Sequence, residues 1–339
     1  MGAKILPATE ASIQLVVDVL QSGELVVLPT ETVYGLAAII SDDAALGKIF
    51  EVKGRPLIDP LIVHVLDLSS LLDLVQIGDD LFNKIYRLVD AFCPGPLTFV
   101  LKKRKNVSDI ITAGKKTVAI RMPAHAVFRE VLRHSGPLAA PSANPFGYLS
   151  PTCAAHVSNS IGDKIPYILD GGICAIGLES TILDLSSKRF AILRPGAITA
   201  EMIEGVLNEK IIAYRPLVSA DPSAPGMLKQ HYSPRTRLRL FEQSPEKEIP
   251  FFQENHTPKI AILYLSREEA KSQKITDEGN FSVFWLSESG DLNDVAHNIF
   301  DWLQRLDNMS FDIIYCQIPQ KMDIGIAIGD RLIRAAAKF

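Results

Sequence analysis

The run Leu25-Val26-Val27-Leu28 is apolar at every position and is stopped at once by Pro29. A strand with no polar face has to be covered on both sides, as in an inner strand of a sheet flanked by helices. Proline cannot donate to the ladder, so the strand ends there. The polar segment Thr30-Glu31-Thr32-Val33-Tyr34-Gly35 therefore leaves from its carboxyl end. Leu61-Ile62-Val63-His64-Val65, Leu97-Thr98-Phe99-Val100-Leu101, Thr117-Val118-Ala119-Ile120-Arg121 and Tyr167-Ile168-Leu169-Asp170 are further short runs bounded by polar residues or turn formers.

Helical periods lie between these strands. Ile13, Val16, Val17 and Leu20 recur at i, i+3, i+4 and i+7, with Thr9 as the cap and Gly23 as the stop. Ser41-Asp42-Asp43 caps a helix carrying Leu46, Ile49 and Phe50 that ends near Lys53-Gly54-Arg55. Leu81, Ile85, Leu88, Val89 and Phe92 line one side of a longer helix. Pro123 is read as opening a helix, and Ser150-Pro151-Thr152 as starting a short one. Strands alternating with helices predict an α/β fold, and such sheets hold ligands beyond the carboxyl ends of their strands.

A chain of 339 residues exceeds what one core usually supports, so two domains are expected. Pro216, Pro222, Pro225, Gly226 and Pro234 break any period and mark a linker. The expected division is 1–207, a linker over 208–237, and 238–339. The strands near Lys259–Tyr264 and Phe311–Tyr315 and the helices over Leu292–Leu306 and Asp330–Lys338 predict a smaller second α/β domain. The linker carries Lys229-Gln230-His231-Tyr232-Ser233, more polar and aromatic chemistry than a tether needs, and is expected to act as a lid.

With 47% apolar and 22% charged residues the chain is globular. A net charge of -4 counts against a dedicated nucleic-acid coat while leaving room for a local basic cleft. Cys93, Cys153, Cys174 and Cys316 form no C-x-x-C pair, which fits reduced thiols in the cytoplasm and no structural zinc. No apolar run approaches the ~18 residues of a membrane span. The P-loop, G-x-G-x-x-G, H-E-x-x-H and G-x-S-x-G patterns are absent.

The chain does carry cations and hydroxyls at strand ends. Arg55, Arg121 and Arg194 can each grip a carboxylate or phosphate through two parallel hydrogen bonds, and Lys53 adds a point charge. Ser142, Asn144 and Ser150 add neutral donors. Taken singly, each has a plainer explanation: a lone surface Arg is worth at most about 1 kcal/mol in a pair. His64 alone reads as a core histidine, and Lys102-Lys103-Arg104-Lys105 as a solvated turn.

Together the motifs resemble a family. Pro29-Thr30-Glu31-Thr32-Val33-Tyr34-Gly35-Leu36, Lys53-Gly54-Arg55-Pro56, Pro60-Leu61-Ile62-Val63-His64, Val118-Ala119-Ile120-Arg121-Met122-Pro123, Ala140-Pro141-Ser142-Ala143-Asn144 and Ser150-Pro151-Thr152 resemble the YrdC-type domain of L-threonylcarbamoyladenylate synthases. Glu179-Ser180-Thr181-Ile182, Leu193-Arg194-Pro195-Gly196 and Pro225-Gly226-Met227 with His231-Tyr232-Ser233-Pro234 are similar to the longer, two-domain members. The resemblance implies a YrdC-like twisted open mixed sheet with flanking helices, followed by a smaller Rossmann-like α/β domain. It implies a nucleotidyltransferase that joins L-threonine, bicarbonate and ATP into threonylcarbamoyl-AMP and releases pyrophosphate. That reaction is the first step of N6-threonylcarbamoyladenosine (t6A) formation in tRNA, and a downstream tRNA threonylcarbamoyl-transfer complex takes the product.

Carried over position by position, Thr32, His64, Arg121, the backbone of Ala140 and Ser180 would hold threonine. Arg55, Asp59, Thr117, Ser142, Asn144, Ser150, Arg194 and Tyr232 would hold ATP, with Lys53 and Arg55 as the catalytic cations. Many relatives carry Asn where this chain has Asp59. Mg²⁺ is expected on the ATP phosphates, with no protein cage. The alternatives are a non-catalytic YrdC-type module binding tRNA or double-stranded RNA, a weak tRNA contact beside the synthase activity, and a carbamoyl-transfer enzyme. The last would need zinc-finger cysteines that this chain lacks.

Overall fold

The computed structural model of the protein describes residues 2–214, 231–245, 258–272 and 279–338. These fall into two compact units: 2–146, 150–175 and 179–214 in the first, and 147–149, 176–178 and 231–338 in the second. Most of the expected linker, 215–230, lies outside the described residues.

In chain order the first unit contains β1 (Lys4–Pro7), α1 (Glu10–Gln21), β2 (Val26–Leu28), β3 (Gly35–Ile39), α2 (Asp43–Lys53), β4 (Ile62–His64), α3 (Leu68–Leu72) and α4 (Asp79–Phe92). It continues with β5 (Leu97–Lys102), α5 (Asp109–Thr112), β6 (Thr117–Arg121), α6 (Ala126–Ser135), β7 (Leu138–Ala139) and α7 (Ala154–Ile161). β8 (Tyr167–Asp170), β9 (Thr181–Asp184), β10 (Ala191–Arg194) and α8 (Ala200–Leu207) complete it. The expected caps form: Thr9 Oγ1 accepts from Ser12 N, and Asp42 accepts from Ala44 N and Ala45 N. Two helices start later than the sequence suggested. α6 begins at Ala126, not at Pro123, and α7 begins at Ala154 with Cys153 as its N-cap.

The strands make one mixed sheet of ten, in the order β1-β8-β2-β3-β7-β4-β6-β5-β9-β10. Strand alternation divides each strand between two faces. Val27, Ala38, Val63, Phe99, Leu101, Val118, Ile120 and Leu183 enter the larger core with residues from α2, α4, α5, α7 and α8. On the other face, Val26, Leu28, Ala37, Leu138 and Leu169 pack against α1 and α6 through Val16, Leu20, Phe128 and Val131. That same face over β4, β6, β5 and β9 holds only a small cluster of Ile62, Ala119, Val100 and Ile182, with Leu193 against it and no helix residue in it.

The second unit contains β11 (Arg237–Phe241), β12 (Ile260–Ser266), α9 (Arg267–Ser272), β13 (Phe281–Ser287), α10 (Leu292–Asn308), β14 (Ile313–Gln317) and α11 (Asp323–Ala336). Its four strands are all parallel, in the order β11-β14-β12-β13, which is the smaller α/β sheet expected. α11 begins seven residues before the Asp330 start read from the sequence. Among the described residues no helix is long and apolar enough to cross a membrane.

Candidate functional site

The part of this face over β4, β6, β5 and β9, bordered by α6 through Phe128, is where the functional side chains meet. His64 shares it with Ile62, Arg121 with Ala119, and Thr98 with Val100, because they are two residues apart on one strand. The registers then set the neighbours: His64 lies opposite Arg121 across β4 and β6, and Arg121 opposite Thr98 across β6 and β5.

Arg121 is the centre of one cluster. Its guanidinium donates to Thr32 Oγ1 at 2.8 Å, to Glu31 Oε1 at 2.5 Å and to the Gly95 carbonyl at 3.2 Å. Glu31 also accepts from the Ala124 amide at 3.1 Å. Burial works to raise the Glu31 carboxyl, and Arg121 outweighs it, holding the group below its usual range. The loop is tied by Thr30, whose hydroxyl donates to the Val33 carbonyl at 2.7 Å and accepts from the Thr32 and Val33 amides. His64 lies on the Phe128 ring at a centroid distance of 5.1 Å. Burial first, and then the Arg121 charge, push its imidazole down to about 3, so it is neutral at ordinary pH. Its Nδ1 is buried without a hydrogen-bond partner. Ser180 Oγ and Thr98 Oγ1 share a hydrogen bond of 2.7 Å. Arg194 donates to Ser180 Oγ and to the Ser180 carbonyl, each at 3.1 Å.

A second cluster surrounds Lys53, at the end of α2. The αL glycine Gly54 closes that helix with φ 62° and turns the chain into Arg55. Lys53 Nζ donates to the carbonyls of Ser142 and Asn144, each at 2.6 Å. Arg55 donates to the carbonyls of Asp59 and Pro60 and pairs with the Asp59 carboxylate at 2.8 Å. That contact is an ion pair whose angles fall outside a hydrogen bond, so both Asp59 carboxylate oxygens remain without one. Burial drives the Lys53 ammonium well below its ordinary value, and the Arg55 charge adds to this while Asp59 opposes it. Burial raises the Asp59 carboxyl, against the pull of Arg55, Lys53, Arg194 and Lys115.

Ala140 donates its amide to the Ile62 carbonyl at 3.1 Å, which places its backbone beside β4. Ser150 donates to Glu179 Oε1. Thr117 stands at the opposite end of β6 from Arg121, roughly 13 Å along the strand. Continuing the parallel register of Ile62 with Ala119 brings Thr117 level with Pro60, next to the Lys53 cluster. The basic run is more structured than a solvated turn: Lys103 pairs with Asp109, and Arg104 donates to the Leu72 and Val75 carbonyls. With Lys116 these cations line a groove that Thr117 borders.

Tyr232 belongs to the second unit. Its backbone is left-handed at φ 61°, and its ring meets His231 at 4.0 Å, Phe300 at 5.7 Å and the Arg331 guanidinium at 5.3 Å.

Two residues at the site were not singled out from the sequence, and a third, Glu31, stood out only as the carboxylate among the hydroxyls and the phenol of the Thr30–Tyr34 segment, with no partner assigned. Thr98 is the one polar residue within the apolar run 97–101. Glu179 carried no signal besides its place before Ser180. Among the described residues no three His, Cys, Asp or Glu side chains cluster as a metal cage.

Residues 18–196 match the Sua5/YciO/YrdC family model, described as telomere recombination. Residues 198–337 match the model described as threonylcarbamoyl-AMP synthase, C-terminal domain. The chain is 36% identical over 335 residues to a threonylcarbamoyl-AMP synthase of Pyrococcus abyssi, covering 96% of this chain and 94% of that one. It is 38% identical over 338 residues to that of Bacillus subtilis, covering 98% and 94%. The crystal structure of P. abyssi Sua5 complexed with L-threonine superposes with a TM-score of 0.86 at 32% identity, over 98% of each chain.

Proposed function

We propose that this chain, which belongs to the threonylcarbamoyl-AMP synthase family in its two-domain form, makes threonylcarbamoyl-AMP and pyrophosphate from L-threonine, bicarbonate and ATP. The observation that carries the reading is convergence. Arg121, Thr32, His64 and Ser180 meet on one sheet face, and Lys53, Arg55, Ser142 and Asn144 meet at its edge, in a chain that matches the family along its whole length.

In the proposed mechanism, threonine lies at the Arg121 cluster. Glu31 occupies one edge of the guanidinium, so the Thr32 and Ser180 hydroxyls and the neutral His64 imidazole are the groups left to orient the amino acid. A neutral imidazole leaves the threonine amine beside it free of a second full charge. The amine attacks bicarbonate or its CO₂ form to give a carbamate, whose oxygen then attacks the α-phosphorus as pyrophosphate leaves. Both steps bring anions together, so positioning and charge compensation do most of the work. Arg194, bonded to Ser180 and near enough to act on Asp59, links the two clusters. Lys53 and Arg55 would offset the charge that grows on the departing pyrophosphate.

We expect Mg²⁺ to be held mainly by the nucleotide phosphates; Asp59, ion-paired with Arg55 but with no hydrogen bond to its carboxylate oxygens, is the carboxylate of the Lys53 cluster that could help hold it. When bound it would neutralise phosphate charge. The proposal extends to the cytoplasm, to a downstream tRNA threonylcarbamoyl-transfer complex as recipient, and to a weak tRNA contact at the Lys102–Lys105 groove. The decisive experiment is pyrophosphate release by purified protein with ATP, Mg²⁺, bicarbonate and L-threonine. Release should require all three substrates, and turnover indifferent to threonine or bicarbonate would refute the proposal.

A further inference from the structure

Two thiols lie beside the Thr30–Tyr34 loop, and neither takes part in the mechanism above. Cys153 is the N-cap of α7, extended at φ -149° and half-buried. Burial works to raise its thiol, but His156 and the first amides of the helix act the other way and prevail, holding it below a free thiol's usual value. Thr152, one residue earlier, is bound to the same imidazole through its amide at 3.2 Å. Cys174 is 1% exposed, and burial holds its thiol above the ordinary range.

The backbone brings the two together. The Cys174 amide donates to the Thr152 carbonyl at 2.9 Å. One hydrogen bond between these adjacent peptides holds the Cα atoms of Cys153 and Cys174 roughly 5–6.5 Å apart, within the span a disulfide needs. Tyr34 ties both segments to the substrate loop. Its amide donates to the Pro151 carbonyl at 2.9 Å, and its hydroxyl donates to the Gly172 carbonyl at 2.7 Å. The same hydroxyl accepts from the Gly171 amide at 3.1 Å.

We propose that Cys153 and Cys174 are a peroxide-responsive pair whose disulfide disables the threonine-binding loop. Cys153 thiolate attacks hydrogen peroxide: an S–O bond forms, the O–O bond breaks, and sulfur is oxidised while peroxide is reduced to hydroxide. Cys174 sulfur then attacks the sulfenic sulfur. The S–S bond forms as the S–O bond breaks, and the departing hydroxide takes the Cys174 proton as water. Bridging draws together the Pro151 and Gly171–Gly172 segments that hold Tyr34, and through Tyr34 pulls on the loop that places Thr32 against Arg121. A thiol reductant restores both thiols.

The proposal rests on threonine as the substrate, and its test separates the two readings. The full reduced chain is titrated with L-threonine by calorimetry, then treated with hydrogen peroxide, mapped by peptide mass analysis and titrated again. Binding by the reduced chain tests the substrate. Expected afterwards are a Cys153–Cys174 cross-linked peptide, an affinity about tenfold weaker or more, as for one lost charge-assisted hydrogen bond, and recovery with dithiothreitol. Cys153→Ser should keep its affinity through the treatment, whereas Cys93→Ser and Cys316→Ser should lose it. A Cys153 sulfinate with no cross-link, a cross-link to Cys93, or a disulfide that leaves threonine affinity unchanged would each overturn the proposal.

Discussion

Lys53 shows how burial changes what a single side chain can do. Its ammonium is 4% exposed and held only by two carbonyls and an offset carboxylate, so water no longer favours its charge. An arriving triphosphate would restore that preference. ATP binding should therefore take up protons in mildly alkaline buffer, seen as a binding heat that depends on the buffer's ionisation enthalpy, and Lys53→Met should abolish the dependence. The same variant should lower turnover by about 10²–10³, the usual cost of one pre-aligned charge, in a pyrophosphate assay. His64 gives a prediction about stability. Its folded value near 3 lies below the unfolded 6.5, so from about pH 6.5 downwards the unfolded chain binds the extra proton and folding weakens as pH falls. The slope from this group approaches about 1.4 kcal/mol per pH unit. His64→Gln should flatten the acid side of a Tm-against-pH curve, and an unchanged curve would remove His64 as its source. The residues themselves were legible in the sequence because short motifs quote them. Their partners were not: nothing in the order of residues says that Arg121 takes Glu31 as well as Thr32, or that Lys53 spends its donors on backbone carbonyls.

Elements were read best where period and cap agree, as in α1 and α2. The starts of α6 and α7 were placed too early because proline at a first turn also fits the extended segment before a helix. β1 carried no turn-bounded apolar run, and Lys4–Pro7 exists as a strand because Tyr167–Asp170, distant in sequence, lies beside it. β13 was legible and not singled out: Val283-Phe284-Trp285-Leu286 is an apolar run between Gly279-Asn280 and Ser289-Gly290. The β9–β10 hairpin yields a test at this scale. After β10, Gly196 passes so close to β9 that a Cβ would come within 2.4 Å of the Thr181 amide nitrogen and 2.8 Å of the Glu179 carbonyl oxygen. Backbone cannot retreat as a flexible side chain does, so Gly196→Ala should cost about 1–3 kcal/mol in denaturant unfolding. Because the displaced segment carries Ser180, threonine affinity should fall more than ATP affinity.

At the scale of the whole molecule, chain length announced two domains, and the described residues form two compact units, each with its own sheet. The expected boundary at 207 falls at the end of α8, and the one at 238 falls inside β11, whose first residue, Arg237, had been assigned to the linker. Residues 147–149 and 176–178, which group with the second unit, carried no sign of it because membership rests on contacts distant in sequence. The second unit also buries charge: Asp330 accepts from both Arg331 and Arg334 at 3.0 and 2.9 Å, all three nearly out of water. Asp330→Asn takes away their shared carboxylate, and a loss of about 3–5 kcal/mol in unfolding free energy is expected. The first unit's strands carry a different lesson. On β4 and β6, Val63, Val118 and Ile120 face the helices, while His64, Ala119 and Arg121 face the chemistry. Neighbouring codons thus answer to separate pressures, and descendants of this chain could drift in substrate preference along one set of alternating positions while the other set keeps the strands folded. A shift of pairing by one position would exchange the two sets, so insertions inside these short strands should be far less tolerated than substitutions on either side.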